Sequence, residues 1–439
     1  MSSRNTTSII TIGFMLFALF FGAGNLIFPP LLGQAAGENL FLANLGFVFT
    51  GVGLPVLTVL ALAISGKESL QSLASRVHPI YGLIFTVTLY LTIGPFFALP
   101  RTNTVAYEMG IAPFFGNQTS NVALLIFTIV FFGFTLYFSL QSKKLIDIIG
   151  KVLTPLLLVV IALLIIVSFL NPIGEIQPPT DAYISNSFFT GFQEGYLTMD
   201  LLAAFVFGII IINAIKDIGY STKKQLIIST SKAALIAALL LGIVYSSLAY
   251  LGAISVEEIG YMENGGSILA AASAFYFGSY GKIILGVIVV AACLTTSIGL
   301  VTSCASYFHQ IIPKIPYSIW AIIFTILGAV ISNFGLTTII EFSVPVLSML
   351  YPMAMCLMIL TFLHPVFKGK KEIYQASILF TFIVSLFDGL NAAGLKIVAV
   401  NDLFQTILPL YNQGLGWVAP AIVGGIIGYG FSVIKKDVS

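Results

Sequence analysis

Residues 20–30 of the chain read Phe20-Phe21-Gly22-Ala23-Gly24-Asn25-Leu26-Ile27-Phe28-Pro29-Pro30. Two glycines and an asparagine lie near the middle of a long apolar run, and a double proline closes it. Glycine costs a helix about 1 kcal/mol relative to alanine, and proline cannot donate a backbone hydrogen bond. The stretch therefore predicts an unwound segment around residues 21–24 between two half-helices. Close packing of small residues against a second helix is the alternative interpretation.

The composition of the chain places this run in a membrane. Of the 439 residues, 58% are apolar and 8% are Asp, Glu, Lys or Arg, and the mean hydropathy is +1.04. A soluble domain carries roughly 25% charged residues, so this chain could not cover a surface exposed to water. We therefore expect an all-α integral membrane protein. A soluble enzyme, a nucleic-acid binder and a disordered chain are excluded.

About twelve stretches are apolar and long enough to cross a bilayer, which takes about 20 residues. They are 8–32, 41–65, 80–100, 121–140, 145–170, 197–215, 225–252, 281–308, 316–332, 337–363, 374–391 and 414–434. With a cytoplasmic amino terminus and alternating sides, all but three of the 19 Lys and Arg face the cytoplasm, the exceptions being Arg101, Lys282 and Lys396. The positive-inside rule thus predicts a multi-pass membrane protein with both termini cytoplasmic. The first span shows no convincing cleavage site, so we expect it to be retained.

The predicted interruption offers two kinds of unsatisfied backbone group. The first half-helix ends in free carbonyls, which suit Na⁺, and the second begins with free amides, which favour a carboxylate. Secondary transporters use such mid-bilayer interruptions to hold a cation and a zwitterionic substrate. Residues 195–208 form a second, weaker candidate interruption in the sixth span.

Three further features place polar side chains within apolar spans. Asp200 lies in the sixth span, where an ionisable group indicates function, although it could also cap the helix or face an outer vestibule. The eighth span contains Thr295-Thr296-Ser297, whose hydroxyls suit Na⁺ but could instead bond back to the carbonyl one turn earlier. Arg101 lies at the end of the third span. It could form part of a gate, steer a carboxylate inward, pair with an outer acid, or be a surface arginine.

Several of these motifs together resemble the bacterial branched-chain amino acid:cation symporters. The motifs are Phe14–Pro30, Thr92–Arg101 and Gly195–Asp200, and the resemblance runs from about residue 8 to residue 434. It implies a carrier, not an enzyme, that imports leucine, isoleucine and valine and is driven by Na⁺ or H⁺.

A more distant resemblance is to the neurotransmitter:sodium symporters, which have the LeuT-type fold. It rests on Gly22-Ala23-Gly24-Asn25 with Phe28-Pro29, and on Ala292-x-Leu294-Thr295-Thr296-Ser297-Ile298. This resemblance implies LeuT-type inverted five-helix repeats plus two extra helices. The first repeat would cover 8–170, an outer loop 171–196, the second and inverted repeat 197–363, and the two additional helices 374–434.

The LeuT-type resemblance also implies a set of site residues. The sodium ion would be held by the carbonyls of Ala18, Phe21 and Ala292 and by the hydroxyls of Thr295 and Thr296. The carboxylate of the substrate would meet the amides of Ala23 and Gly24. The amine of the substrate would meet carbonyls near Phe20 and near Ala203, Ala204 and Phe205. Possible gate or coupling residues are Asn25, Arg101 and Asp200.

Together these features predict a symporter that couples branched-chain amino acid import to Na⁺ by alternating access. The acids at plausible depth for H⁺ coupling are Asp200, Glu341 and Asp388, and none has an evident basic partner, which favours Na⁺. An H⁺-coupled carrier and a carrier of another small neutral amino acid remain alternatives. We expect no cofactor apart from Na⁺ as the coupling ion, and contact with the lipid bilayer, but no nucleic acid and no obligate protein partner. The three cysteines and three histidines are expected to be structural.

Overall fold

The computed structural model describes the backbone of residues 3–114, 121–141, 143–220 and 222–437, and the side chains of 8–114, 121–141, 155–220 and 222–434. These residues form nineteen α-helices and no strand, which confirms the predicted all-α class. The helices are α1 (Ser3–Phe20), α2 (Ala23–Ala36), α3 (Leu40–Val48), α4 (Leu54–Ser65), α5 (Leu70–Ala74), α6 (Pro79–Leu91), α7 (Ala98–Gly110), α8 (Asn121–Leu140), α9 (Lys143–Leu170), α10 (Ser187–Glu194), α11 (Asp200–Asp217), α12 (Lys223–Ala253), α13 (Val256–Ile259), α14 (Gly265–Ile311), α15 (Tyr317–Ser332), α16 (Leu336–Leu363), α17 (Lys371–Ala392), α18 (Val398–Ile407) and α19 (Val418–Asp437).

Many of these helices are apolar enough to cross a membrane. Among the described residues, seven helical segments pass this test by length and composition, or eight if the bent pair α10–α11 counts as one span. Shorter apolar helices are Ser8–Phe20, Pro155–Leu170, Tyr317–Ser332 and Val418–Ile434. The set is consistent with the predicted count of about twelve crossings. The division of the chain into two repeats remains a prediction.

The first predicted interruption is present between α1 and α2. Helix α1 ends at Phe20, and Gly22 adopts an extended conformation, with φ −116° and ψ −168°, before α2 begins. The amide of Gly22 donates to Oδ1 of Asn25 over 3.0 Å, so a side chain replaces the backbone acceptor that a continuous helix would supply. Asn25 is therefore part of the reason why the helix stops and restarts here.

The double proline does not close the first span. Pro29 and Pro30 lie inside α2, which continues to Ala36. Tertiary packing compensates for the two missing amide donors, because almost every residue of α2 is buried. Methyl groups added to Gly33 and Gly252 would overlap backbone atoms of the opposite helix, so α2 and α12 cross in direct backbone contact. Close packing of small residues thus occurs at Gly33, one turn beyond the prolines.

A second interruption precedes α11. A 3₁₀ turn at Gly195–Thr198 is followed by Met199 in the left-handed conformation, with φ +62°. The flanking helical segments, Ser187–Thr198 and Asp200–Asp217, are bent by 48°. Helix α10 therefore begins within the stretch predicted as an outer loop and leads directly into the break.

The third and eighth spans are longer than the sequence indicated. Helix α6 passes through a π-helical turn at Thr92–Phe96, where Gly94 has non-helical angles, and α7 continues to Gly110 rather than ending near residue 100. This extension places Arg101 inside a helix and not in the outer loop assumed for the charge count. Helix α14 likewise begins at Gly265 and bends at Gly278, so Lys282 lies on the helix.

Candidate functional site

The two interruptions and the hydroxyl run lie beside one another in the structure. A methyl group placed on Gly24 would lie 3.6 Å from the carbonyl oxygen of Thr198, in the break before α11. A methyl group placed on Gly22 would lie 3.6 Å from Cγ2 of Thr296 on α14. The first interruption therefore contacts the second on one side and the hydroxyl run on the other.

The residues predicted to hold sodium lie on α1, in the break after it and on α14. The hydroxyl groups of Thr295 and Thr296 both donate to the carbonyl oxygen of Ala292, over 2.7 Å and 3.1 Å. The local bonding considered as an alternative is thus what these hydroxyls do in the structure. Their oxygen lone pairs remain available as acceptors, and an all-oxygen donor set fits a hard cation. Ala18 and Phe21 lie in the last turn of α1 and in the break after it.

Ser297 is directed away from this group. Its hydroxyl is 3.0 Å from Oγ1 of Thr135 on α8, and both side chains are buried. Of the three consecutive hydroxyl residues, only Thr295 and Thr296 share the Ala292 carbonyl.

The residues predicted to bind the substrate carboxylate flank the first break. Phe20 is the last residue of α1, and Ala23 and Gly24 are the first two of α2; all three are buried. Amides in the first turn of a helix have no helical acceptor. Because the Gly22 amide already donates to Asn25, the amides of Ala23 and Gly24 are the ones positioned for a ligand.

The second break lies earlier in the chain than the predicted amine-binding residues. Ala203, Ala204 and Phe205 lie inside α11, where carbonyls serve the helix itself, and Ala203 donates its amide to Met199. The carbonyls of the interruption belong instead to Leu197 and Thr198, which the sequence reasoning missed. A threonine two residues before an acid at a helix start is a signal for this position, since the Asp200 amide donates to Oγ1 of Thr198 over 3.3 Å.

Asp200 and Asn25 are brought together at the start of α11. Asp200 is 2% exposed, and its Oδ2 accepts from Nδ2 of Asn25 over 2.8 Å and from the hydroxyl of Tyr245 over 2.6 Å. Asn25 also donates to the Tyr245 hydroxyl. Burial excludes the outer-vestibule interpretation of Asp200. Tyr245, on α12, was not predicted, because a tyrosine within an apolar span carries no distinctive signal.

Arg101 is buried beside the same break. It is 2% exposed, and its Nη1 donates to the carbonyl of Leu197 over 2.6 Å. Its Nη2 donates to Oγ of Ser343 over 3.3 Å, and its guanidinium carbon lies 4.9 Å from the centre of the Phe28 ring. Burial excludes a surface arginine, and in the described part of the chain its hydrogen bonds go to neutral groups rather than to an outer acid.

These interrupted helices define the class of the protein, a helical membrane protein with the LeuT-type fold. The structure of Mhp1, a nucleobase-cation-symport-1 family transporter in a closed conformation with bromovinylhydantoin bound, matches with a TM-score of 0.62 at 14% identity, covering 98% of this chain and 93% of that chain. MhsT in complex with L-phenylalanine matches with a TM-score of 0.58 at 16% identity, covering 95% and 97%. Identities this low show the fold alone, and the predicted LeuT-type fold is confirmed.

The family is established by the sequence comparisons. The family model described as branched-chain amino acid transport protein matches residues 5–435. The branched-chain amino acid permease BrnQ of Bacillus subtilis (strain 168) is 57% identical over 440 residues, which cover 100% of both chains. The chain belongs to the branched-chain amino acid transport protein family. It is a multi-pass membrane transporter.

Proposed function

We propose that this protein imports leucine, isoleucine and valine across the bacterial cell membrane by Na⁺ symport, through alternating access. The observation that carries the proposal is the contact between the first interruption and the hydroxyl run, at Gly22 and Thr296. It places the break after α1 beside the side chain of Thr296, whose hydroxyl, like that of Thr295, donates to the carbonyl of Ala292. Membership of the family supports the substrate class.

The coupling would arise because ion and substrate use opposite sides of one break. Na⁺ would bind the carbonyls of Ala18 and Phe21 together with the oxygens of α14, and would thereby fix α1 against α14. The amides of Ala23 and Gly24 would then be preformed for the substrate carboxylate, which is positive coupling between two ligands. The carbonyls of Leu197 and Thr198, with that of Phe20, are the candidate partners of the substrate amine.

The orientation in the membrane is part of this proposal. The distribution of Lys and Arg supports two cytoplasmic termini. Each proposed repeat, 8–170 and 197–363, contains one interrupted helix near its start. Of the predicted outer loop 171–196, the part before α10 would then lie outside the cell, and 374–434 would come after the repeats as an addition.

The environment of Asp200 favours a second candidate, coupling to H⁺. An ionised carboxylate is costly to bury without a cation, and the hydrogen-bond partners of Asp200 in the described structure are neutral. Asp200 would then take up a proton, or a cation, when the site is loaded. The other acids considered are less enclosed, because Glu341 is exposed and Asp388 is half-buried.

Uptake of labelled leucine into proteoliposomes tests the proposal, with Na⁺ and pH gradients imposed separately on the wild type and on Asp200→Asn. We expect uptake to follow the Na⁺ gradient in both proteins. Uptake that follows the pH gradient, ignores Na⁺ and loses its pH response in Asp200→Asn would establish H⁺ coupling instead.

A competition panel in the same vesicles tests the substrate class. Valine has one methylene fewer than the isomers leucine and isoleucine, so its affinity should agree with theirs within roughly 10–200-fold. Another neutral amino acid that displaces leucine better than isoleucine and valine do would reassign the substrate.

A further inference from the structure

Among the described residues, the guanidinium group of Arg101 is a buried cation without a matching anion. Its Nη1 and Nη2 donate to a carbonyl and a hydroxyl, and its Nε has no hydrogen-bond partner in the part of the chain that the structure describes. Leaving a buried charge uncompensated costs several kcal/mol. A binding site that receives an anion during the transport cycle is a setting in which such a cation is useful.

The surroundings of Arg101 increase the need for an anion. A methyl group placed on Gly24 would lie 3.5 Å from Nη1, so the guanidinium lies against the first turn of α2. Helix α2 is 14 residues long, and its amino-terminal end carries a partial positive charge. Two positive groups are therefore in contact. Asp200, three residues beyond Leu197, directs its Oδ2 to Asn25 and Tyr245, and no hydrogen bond joins it to Arg101 in the described structure.

We propose that Arg101 binds the α-carboxylate of the transported amino acid, together with the amides of Ala23 and Gly24. This inference rests on the proposed function and adds to it the residue that selects for a carboxylate. The Nε–H of Arg101 and one further N–H on each Nη are the donors left for the ligand. A charge-assisted hydrogen bond is about twice as strong as a neutral one. An analogue without a charged carboxylate would leave the guanidinium uncompensated.

A purely structural role for Arg101 makes a different prediction. Its bond to the Leu197 carbonyl holds the turn at Gly195–Thr198 against α7, so its loss would disturb the break whatever the ligand. In that case every ligand would be weakened alike. The ratio of affinities for a ligand with a carboxylate and one without it separates the two roles.

The test is equilibrium binding of labelled leucine to purified protein, displaced by leucine or by leucinamide, whose carboxylate is replaced by a neutral amide. We expect leucinamide to bind the wild type at least about 100-fold more weakly than leucine. In Arg101→Gln, leucine should lose about 100-fold while leucinamide changes little, so the ratio falls below about 10.

Arg76→Gln is the matched control. Arg76 also donates one nitrogen to a carbonyl, that of Ser65 over 3.1 Å, and another to a hydroxyl, that of Tyr374 over 3.4 Å. It lies between α5 and α6 and is therefore distant in sequence from both helix interruptions. We expect Arg76→Gln to keep the wild-type ratio of leucine to leucinamide affinity.

Two results would overturn the inference. One is a wild type that binds leucinamide as tightly as leucine, and the other is an Arg101→Gln variant that weakens both ligands equally. If Arg101→Gln is not recovered as folded protein, Arg101→Lys, which keeps the charge, replaces it in the test. This variant should retain part of the wild-type preference for leucine over leucinamide. A ratio of the two affinities equal to that of the wild type would also count against the inference. A wild type that binds neither ligand would reject the proposed function, and this inference with it.

Discussion

Replacing Thr295 and Thr296 with valine tests whether their hydroxyls form part of a cation site. Valine keeps nearly the same volume and removes only the two oxygens, which donate to the Ala292 carbonyl over 2.7 Å and 3.1 Å. Each is a neutral hydrogen bond, so its structural contribution is about 0.5–1.5 kcal/mol. A contact with a charged group is worth about 1.5–3 kcal/mol, so losing two ligand oxygens should cost at least about 3 kcal/mol of Na⁺ binding. That energy corresponds to a rise of about 150-fold in the half-saturating Na⁺ concentration.

The assay is leucine uptake into proteoliposomes titrated with Na⁺, together with thermal unfolding of the purified variant. The double variant Thr325→Val with Thr361→Val is the matched control, because these hydroxyls also donate one turn back, to Ala321 over 2.7 Å and to Leu357 over 2.8 Å. It should lose similar stability and keep its Na⁺ dependence. Wild-type half-saturation in the Thr295 and Thr296 double variant would refute the assigned site, and so would an equal shift in the control.

Two further substitutions, the second with a matched control, test the contacts that α12 makes with α11 and with α2. Tyr245→Phe removes the hydroxyl that donates to Asp200 over 2.6 Å. We therefore expect the free energy of unfolding, measured by denaturant titration in detergent, to fall by about 1.5–3 kcal/mol. An unchanged value would show that this bond does not stabilise the fold. Gly33→Ala would overlap the Ala249 carbonyl and should lower the free energy of unfolding by about 1–3 kcal/mol. The control Gly133→Ala meets no atom within 4 Å and should be neutral or stabilising. Equal thermal midpoints for the two variants would contradict the close crossing of α2 and α12.

The first interruption was predictable because its causes are local. Two glycines weaken the helix, and Asn25, three residues after Gly22, supplies the acceptor that replaces the lost backbone bond. The all-α class was equally accessible, because the low charge content and the long apolar runs allow little else. Features set by composition and by short-range hydrogen bonds could therefore be predicted from the chain alone.

The second interruption was placed less well because its causes lie elsewhere in the chain. Met199 is not a glycine, yet it adopts a left-handed conformation, while the adjacent Leu197 carbonyl is held by Arg101, 96 residues away. The pairing of Asn25 with Asp200 spans 175 residues. Sequence patterns report periodicity and local propensity, and neither shows which distant side chains share one cluster. For the same reason the interior position of Arg101 was not predicted.

The side chain of Asn25 has a mechanical consequence for the molecule. Its oxygen is bound to the amide of Gly22, and its nitrogen is bound to Asp200 and to Tyr245, so one amide group ties the start of α2 to α11 and α12. If α2 tilts, either these hydrogen bonds break or α11 and α12 move together with α2. Breaking these bonds would leave the buried carboxylate of Asp200 without its hydrogen-bond donors. Movement of all three helices together as a rigid body therefore costs less free energy.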